Sequence, residues 1–285
     1  MNYFRVLLLG FFYLFAIGDS FSEDRFLLSA PTIVTNTATS ISGSSAILNG
    51  SGNPNGASTS AWFRYSTTDP GAADDTFGTS TASSALGTGN SSVSYSKTIS
   101  GLLPGKTYYY AAIGNNTEGI SFGAVQSFTT LPLAPTVITT SSTNRTSLSA
   151  TLNGLVNPNG AASTCWFRYS TISPGTGNDS FGTRAPLSGG TAVSAGNSSV
   201  SVSQNITGLS AATTYYYCAI CQNSEGTSFG SLATFTTPSA PTAVTSTVTT
   251  ITGTTATLNG SGNPNGATST AYFRYSTTNP GTPND

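Results

Sequence analysis

Three cysteines, Cys165, Cys218 and Cys221, carry the most reactive side chains in this chain, and no histidine accompanies them. Imidazole is the commonest general base and a common metal ligand. Without it, neither a Ser–His–Asp nor a Cys–His arrangement can be assembled from these 285 residues. Acids are sparse as well: Asp69, Asp74, Asp75 and Glu118 in one stretch, Asp179 and Glu225 in a later one. A paired-carboxylate glycosidase needs two carboxyl groups facing one cleft, and nothing in the spacing brings Asp179 and Glu225 together. The expectation is no catalytic residue, no metal ligand and no cofactor. Asp69, Asp74 and Asp75 cluster closely enough to gather calcium, which takes ~6–8 oxygen ligands. Their counterparts are Ser173, Asn178 and Asp179, then Asn279, Asn284 and Asp285. Carboxylates dwindle from copy to copy, so a solvated polar loop is the better reading.

Those counterparts exist because the chain repeats itself. Ala30-Pro31-Thr32, Ala134-Pro135-Thr136 and Ala240-Pro241-Thr242 open segments that recur about every 105 residues, a period of domain size rather than the ~20–50 of solenoid repeats. Leu48-Asn49-Gly50 returns as Leu152-Asn153-Gly154 and Leu258-Asn259-Gly260. Asn53-Pro54-Asn55-Gly56 returns at Asn157 and Asn263, and Phe63-Arg64-Tyr65-Ser66-Thr67 at Phe167 and Phe273. Within each copy apolar residues alternate, with no 3.6-residue stripe. In the second copy the expected strands are Thr136–Thr140, Ser149–Gly154, Thr164–Ser170, Ser199–Ile206, Thr214–Asn223 and Ser228–Thr236. Clusters of Gly, Pro and Asn separate them. The predicted fold class is all-β, an antiparallel sandwich in each copy.

Gly208-Leu209, then Tyr215-Tyr216-Tyr217, Asn223 and Phe235-Thr236-Thr237 form the strongest local signature. The first copy has Gly101-Leu102, Tyr108-Tyr109-Tyr110, Asn116 and Phe128-Thr129-Thr130. This pattern resembles the fibronectin type III module, an immunoglobulin-like sandwich, and more closely its Ser/Thr-rich versions in secreted bacterial proteins. The resemblance implies that the Leu plugs the core and that Tyr108 and Tyr215 make a tyrosine-corner hydrogen bond entering strand F. One departure is Leu48, Leu152 or Leu258 where many members carry a strand-B Trp, and no Arg-Gly-Asp triplet is present. The expected organisation is a signal peptide at 1–18, a leader at 19–29, module 1 at 30–130, module 2 at 131–237 and a truncated module 3 at 238–285. Module 3 should hold the first three strands only. Unable to close two sheets, it should leave apolar faces and edges exposed.

The cysteines can now be placed. Cys218-Ala219-Ile220-Cys221 matches C-x-x-C, but the two thiols fall on opposite faces of one strand. Cys221 shares a face with Tyr215 and Tyr217, and Cys165 with Phe167 and Tyr169. The resemblance makes strands C and F neighbours, and pairing Tyr169 with Tyr217 sets Cys165 opposite Cys221. A buried cross-strand disulfide is one reading; the other is two small buried thiols, as Ala61 and Gly114 fill these places in module 1. Cys218 is left outward and unpaired either way. By the same parity Trp62, Arg64, Tyr109 and Ile113 lie on an outer sheet face, as do Trp166, Arg168, Tyr216 and Ile220. Aromatic rings beside a guanidinium can stack on sugars or anchor a protein. The plainer reading is cross-strand cladding.

Arg5 followed by the apolar stretch Val6 to Gly18, with small residues at Ala16 and Gly18, reads as a cleaved secretory signal. The stretch is short of the ~20 residues of a membrane span, and no second apolar run follows. With net charge −1 and only 7% charged residues, the chain has no electrostatic footprint for nucleic acid. Short proline-containing linkers, Leu131-Pro132-Leu133-Ala134-Pro135 and Pro238-Ser239-Ala240-Pro241, favour a semi-rigid rod. The expectation is a non-catalytic, secreted or cell-surface spacer or adhesive stalk, with cell-surface proteins or polysaccharides as partners alongside its own neighbouring repeats. The alternative is an accessory, carbohydrate-contacting region of a secreted carbohydrate-active enzyme whose catalytic domain lies beyond residue 285.

Overall fold

The computed structural model describes residues 28–266, 268–279 and 281; the expected signal peptide and most of the leader lie outside the described residues. Alternation makes the strands. In β2 (Ser45–Asn53) every second residue is buried, and in β1 (Thr32–Thr39) burial falls on Ile33, Thr35 and Ala38. Module 1 continues with β3 (Thr59–Ser66), β4 (Thr79–Ser80), β5 (Ser84–Gly87), β6 (Val93–Ser100), β7 (Thr107–Asn116), β8 (Gly119–Phe122) and β9 (Gln126–Thr129). One sheet has the order β1-β2-β6; the other centres on β3 and β7, with β4 and β5 along one side and β8 and β9 along the other. Every pairing is antiparallel. The core between the sheets is built on Leu48, Phe63 and Tyr110, all fully buried, with Tyr95, Leu102 and Phe128 around them.

Module 2 repeats this plan with β10 (Thr136–Thr143), β11 (Ser149–Asn157), β12 (Ser163–Ser170), β13 (Thr183–Ala185), β14 (Thr191–Val193), β15 (Val200–Thr207), β16 (Thr214–Asn223), β17 (Gly226–Phe229) and β18 (Ala233–Thr236). The sheets are β10-β11-β15 and a β12/β16 sheet flanked by β13 and β14 and by β17 and β18. Two expectations need correcting. The short strands β13 and β14, like β4 and β5, were not foreseen. The last expected strand, Ser228–Thr236, is two strands interrupted near Gly230. At that break the first strand of the module intrudes: Thr139 Oγ1 accepts from the Ala219 N–H at 3.0 Å, while Gly230 N–H reaches Ala219 O at 2.8 Å. Module 1 does the same with Thr35 on Ala112 and Gly123 on Ala112. A side chain on Gly123 or Gly230 would collide with that threonine hydroxyl.

The recurrent motifs acquire physical meaning here. In Leu-Asn-Gly, the Leu fills the core and the Asn staples a bulge in the neighbouring strand. Asn49 Nδ2 donates to Thr37 O at 2.8 Å and to Thr39 Oγ1 at 3.0 Å, where the β1/β2 register shifts. Asn153 and Asn259 do likewise on Ser141 and Thr247. In Asn-Pro-Asn-Gly, Asn53 Oδ1 accepts from Asn55 N–H and closes an Asx turn. Asn55 and Gly56 then sit at positive φ, 54° and 86°, where Asn and Gly are tolerated best.

The third unit holds β19 (Thr242–Thr249) paired with β20 (Thr257–Asn263), two strands where three were expected. Residues 268–279 form no strand. In modules 1 and 2 the third strand draws its ladder from β7 or β16. Tyr272 and Tyr275 are exposed, and Phe273 half-exposed.

Candidate contact surface

Parity puts Trp62 and Arg64 on the face of β3 that points away from the sandwich core, and the loop 67–78 folds back over them. Asp75 organises the cover. Its Oδ1 accepts from Trp62 Nε1 and from Arg64 Nε, both at 3.0 Å, and Arg64 Nη1 donates to the carbonyl oxygens of Phe77 and Gly78. Module 2 rebuilds the arrangement atom for atom. Asp179 Oδ1 takes Trp166 Nε1 at 2.8 Å and Arg168 Nε at 2.9 Å, and Arg168 Nη1 reaches Phe181 and Gly182. The two guanidinium side chains retain only 19% and 20% of their exposure. A planar guanidinium can satisfy a carboxylate and two carbonyls at once in a way an ammonium cannot.

The proposed recognition patch therefore needs correction. Ile113 and Ile220 are fully buried and Trp166 nearly so; Trp62, Tyr109 and Tyr216 are half-buried. The outer face is a second, smaller apolar layer beneath a loop. In module 2 it joins Trp166, Cys218 and Ile220, with Phe181 packed against them. Arg184 lies over the Trp166 ring at 4.6 Å from its centroid, a cation–π contact that Ser80, at the corresponding register, cannot offer module 1. Cys218 points outward from the sandwich as expected, yet it is buried under this loop. Burial pushes its thiol up to about 11, with a backbone hydrogen bond at Asn178 working in the opposite direction.

The polar loop is likewise more structured than its composition announces. Asp74 Oδ1 caps the N–H groups of Thr76 and Phe77 and takes the Thr76 hydroxyl, holding its carboxyl below the ordinary value. Asp69 caps Gly71 at 2.8 Å. Among the described residues no group of three or more Cys, Asp or Glu is placed to hold a metal ion.

On the inner face Tyr169 pairs with Tyr217, Cys165 with Cys221, and the two sulfur atoms are bonded at 2.07 Å. Both cysteines belong to the module 2 core. In module 1 the same pair of positions is Ala61 and Gly114, and Ile33 occupies the space: a Cβ on Gly114 would come 2.4 Å from Ile33 Cδ1. Val137, one methylene smaller, stands at the Ile33 position in module 2. Tyr108 and Tyr215 each accept a hydrogen bond at 2.9 Å, from the N–H groups of Leu103 and Ser210, five residues upstream. That bond fixes the corner leading into β7 and β16. Tyr110 and Tyr217 reach across the sandwich instead, donating to Asn36 O and Thr140 O at 2.7 Å.

Sequence reasoning missed the Asp75 and Asp179 clamps. The signal was present: an Asp follows the Arg of Phe-Arg-Tyr by eleven residues in both modules. Counting carboxylates for calcium hid that regularity.

No protein-family model matches the chain, and no curated protein does. Among solved structures it is similar to the FN1-FN3 domains of chicken CNTN1, at a TM-score of 0.41 and 16% identity, over 78% of this chain and 71% of that one. It is also similar to the sensor domain of the anti-sigma factor RsgI4 in Pseudobacteroides cellulosolvens, at a TM-score of 0.25 and 18% identity, over 41% of this chain and 99% of that one. At such values the fold rests on the strand order and register given above. By that order the chain is a tandem array of fibronectin type III-like β-sandwiches. Among the described residues no helix is long and apolar enough to cross a membrane.

Proposed function

We propose that this chain is an exported, non-catalytic spacer or adhesive stalk, its modules serving to hold other parts of a protein or surface at a set distance. The observation that carries this reading is the inward commitment of each module's strongest chemical groups. The Trp indoles, the Arg guanidinia and their Asp partners bind one another and the covering loop. What faces solvent is mostly Ser, Thr and Asn. Export is supported by the Cys165–Cys221 bond, since such bonds persist in oxidising compartments, and by the reading of residues 1–18 as a cleaved signal. The short linkers support spacing. The Asn223 and Asn159 side chains donate to the Leu133 and Ala134 carbonyls, so the segment entering module 2 is fastened to it.

Small-angle scattering of the secreted chain, together with binding to immobilised polysaccharides and cell-surface proteins, tests the reading. An elongated particle with no retention fits a spacer, and an elongated particle held by a surface protein or glycan fits an adhesive stalk. Retention by polysaccharide alone that is lost when Asp75 and Asp179 are replaced by Ala would move the function to carbohydrate contact. A compact, collapsed particle would overturn it.

A further inference from the structure

The repeated modules are joined in two different ways. At the first joint the turn before β7 meets the turn before β12 backbone to backbone. A Cβ built on Gly105 would lie 2.7 Å from Gly160 Cα and O, and one on Gly160 would lie 2.6 Å from Pro104 O. Asn197 Nδ2, from module 2, donates to Pro104 O at 2.8 Å. The linker is tied at both ends: Leu131 N–H to Ser42 O at 3.1 Å and Leu133 N–H to Asn159 O at 3.0 Å. Leu133 also covers Gly43, within 2.6 Å of where its Cβ would be.

The second joint lacks the parts for this. Ala212 takes the place of Gly105, at a φ of 50°, and Gly266, the counterpart of Gly160, has open space where its Cβ would sit. Pro238 replaces Leu131 and has no N–H to donate. The linker Pro238-Ser239 is one residue shorter than Leu131-Pro132-Leu133 and carries no leucine.

We infer that the first joint is a locked joint, set by the Gly105–Gly160 backbone contact and the Asn197–Pro104 hydrogen bond, and that the second joint does not share its geometry. The array is then uniform in its modules and non-uniform in its joints, whatever the stalk displays or contacts.

Gly105→Ala is the informative substitution, because Ala212 already occupies that turn at positive φ in module 2. Module 1 should therefore tolerate it while the added methyl meets Gly160. Spin labels at Thr68→Cys and Ile172→Cys, exposed and equivalent positions in the two modules, report the joint in the full chain with Cys218→Ala removing the remaining thiol. Double electron–electron resonance should give one narrow distance distribution, which Gly105→Ala shifts or broadens. Asn197→Ala, which leaves the Asn197 backbone carbonyl free to keep its bond from Asn157 Nδ2, should broaden it too. A distribution already broad in the parent, or one that neither substitution alters, overturns the inference. Should Gly105→Ala unfold module 1, seen as a lost thermal transition, Asn197→Ala alone decides.

Discussion

Asp75 and Asp179 each bind an indole N–H and a guanidinium N–H through a single oxygen, and this makes the two tryptophans reporters of the clamp. Asp179→Ala should cost about 1 kcal/mol, below the ~1.5–3 kcal/mol of bonds to charged groups because the carboxylate is partly solvated. The local effect should be larger: Trp166 fluorescence becomes accessible to acrylamide, while an Arg168→Lys variant recovers the charge without the carbonyl bonds and gives an intermediate result. Cys218 supplies a second residue-scale prediction. With its folded pKa raised to about 11 against roughly 8.5 when unfolded, the folded state holds the thiol proton more tightly. Its contribution to stability is complete below about pH 8.5 and is lost as pH rises through the folded value. Tyr110, Tyr169 and Tyr217 are shifted upward by burial in the same direction, so the chemical-denaturation midpoint should fall steadily through alkaline pH. At pH 8 iodoacetamide should leave the native chain unlabelled and add one group per chain in denaturant without reductant. One group added under native conditions would show that the loop over Cys218 opens.

At the level of strands, the break between β17 and β18 depends on a threonine hydroxyl from another sheet. Thr139→Val keeps shape but removes the acceptor, leaving the buried Ala219 N–H unmatched, at a cost of about 1–3 kcal/mol. Hydrogen exchange at Ala219 should accelerate while its ladder neighbours hold. Thr35→Val should do the same at Ala112. These bonds mark the boundary of what the chain discloses as a sequence. The long strands β11, β12 and β16 were legible, and once the resemblance set strands C and F side by side, parity put Tyr169 against Tyr217 and Cys165 against Cys221. The two- to four-residue strands β4, β5, β13 and β14 have too few positions for a period to show. The split of the last strand was invisible because its cause, Thr139, lies about ninety residues upstream. Parity also gave the correct outer face for Trp62 and Trp166 but could not say that a loop returns to cover it, since a two-residue period describes a strand and says nothing of what the next loop does.

For the molecule as a whole, modules alike in topology are filled by different cores. Gly52 and Gly114 leave room that Ile33 and Leu86 fill in module 1; Val156 and the cysteine pair fill it in module 2. Replacing both Cys165 and Cys221 by Ala should therefore cost more than the loop-closure entropy of 56 residues, about 4 kcal/mol, since Val137 does not reach as far as Ile33. The double variant should lower the second module's unfolding transition and leave the first unchanged. The proposed stalk role would also put the chain under tension. Tension applied along the chain enters module 2 through its first and last strands, and the covalent bond between β12 and β16 short-circuits everything between them. Of the contour that module 2 would release on rupture, 56 residues stay locked, about 190 Å at full extension, whereas module 1 pays out its whole length. Under load the two nearly identical units become a long tether and a short stop.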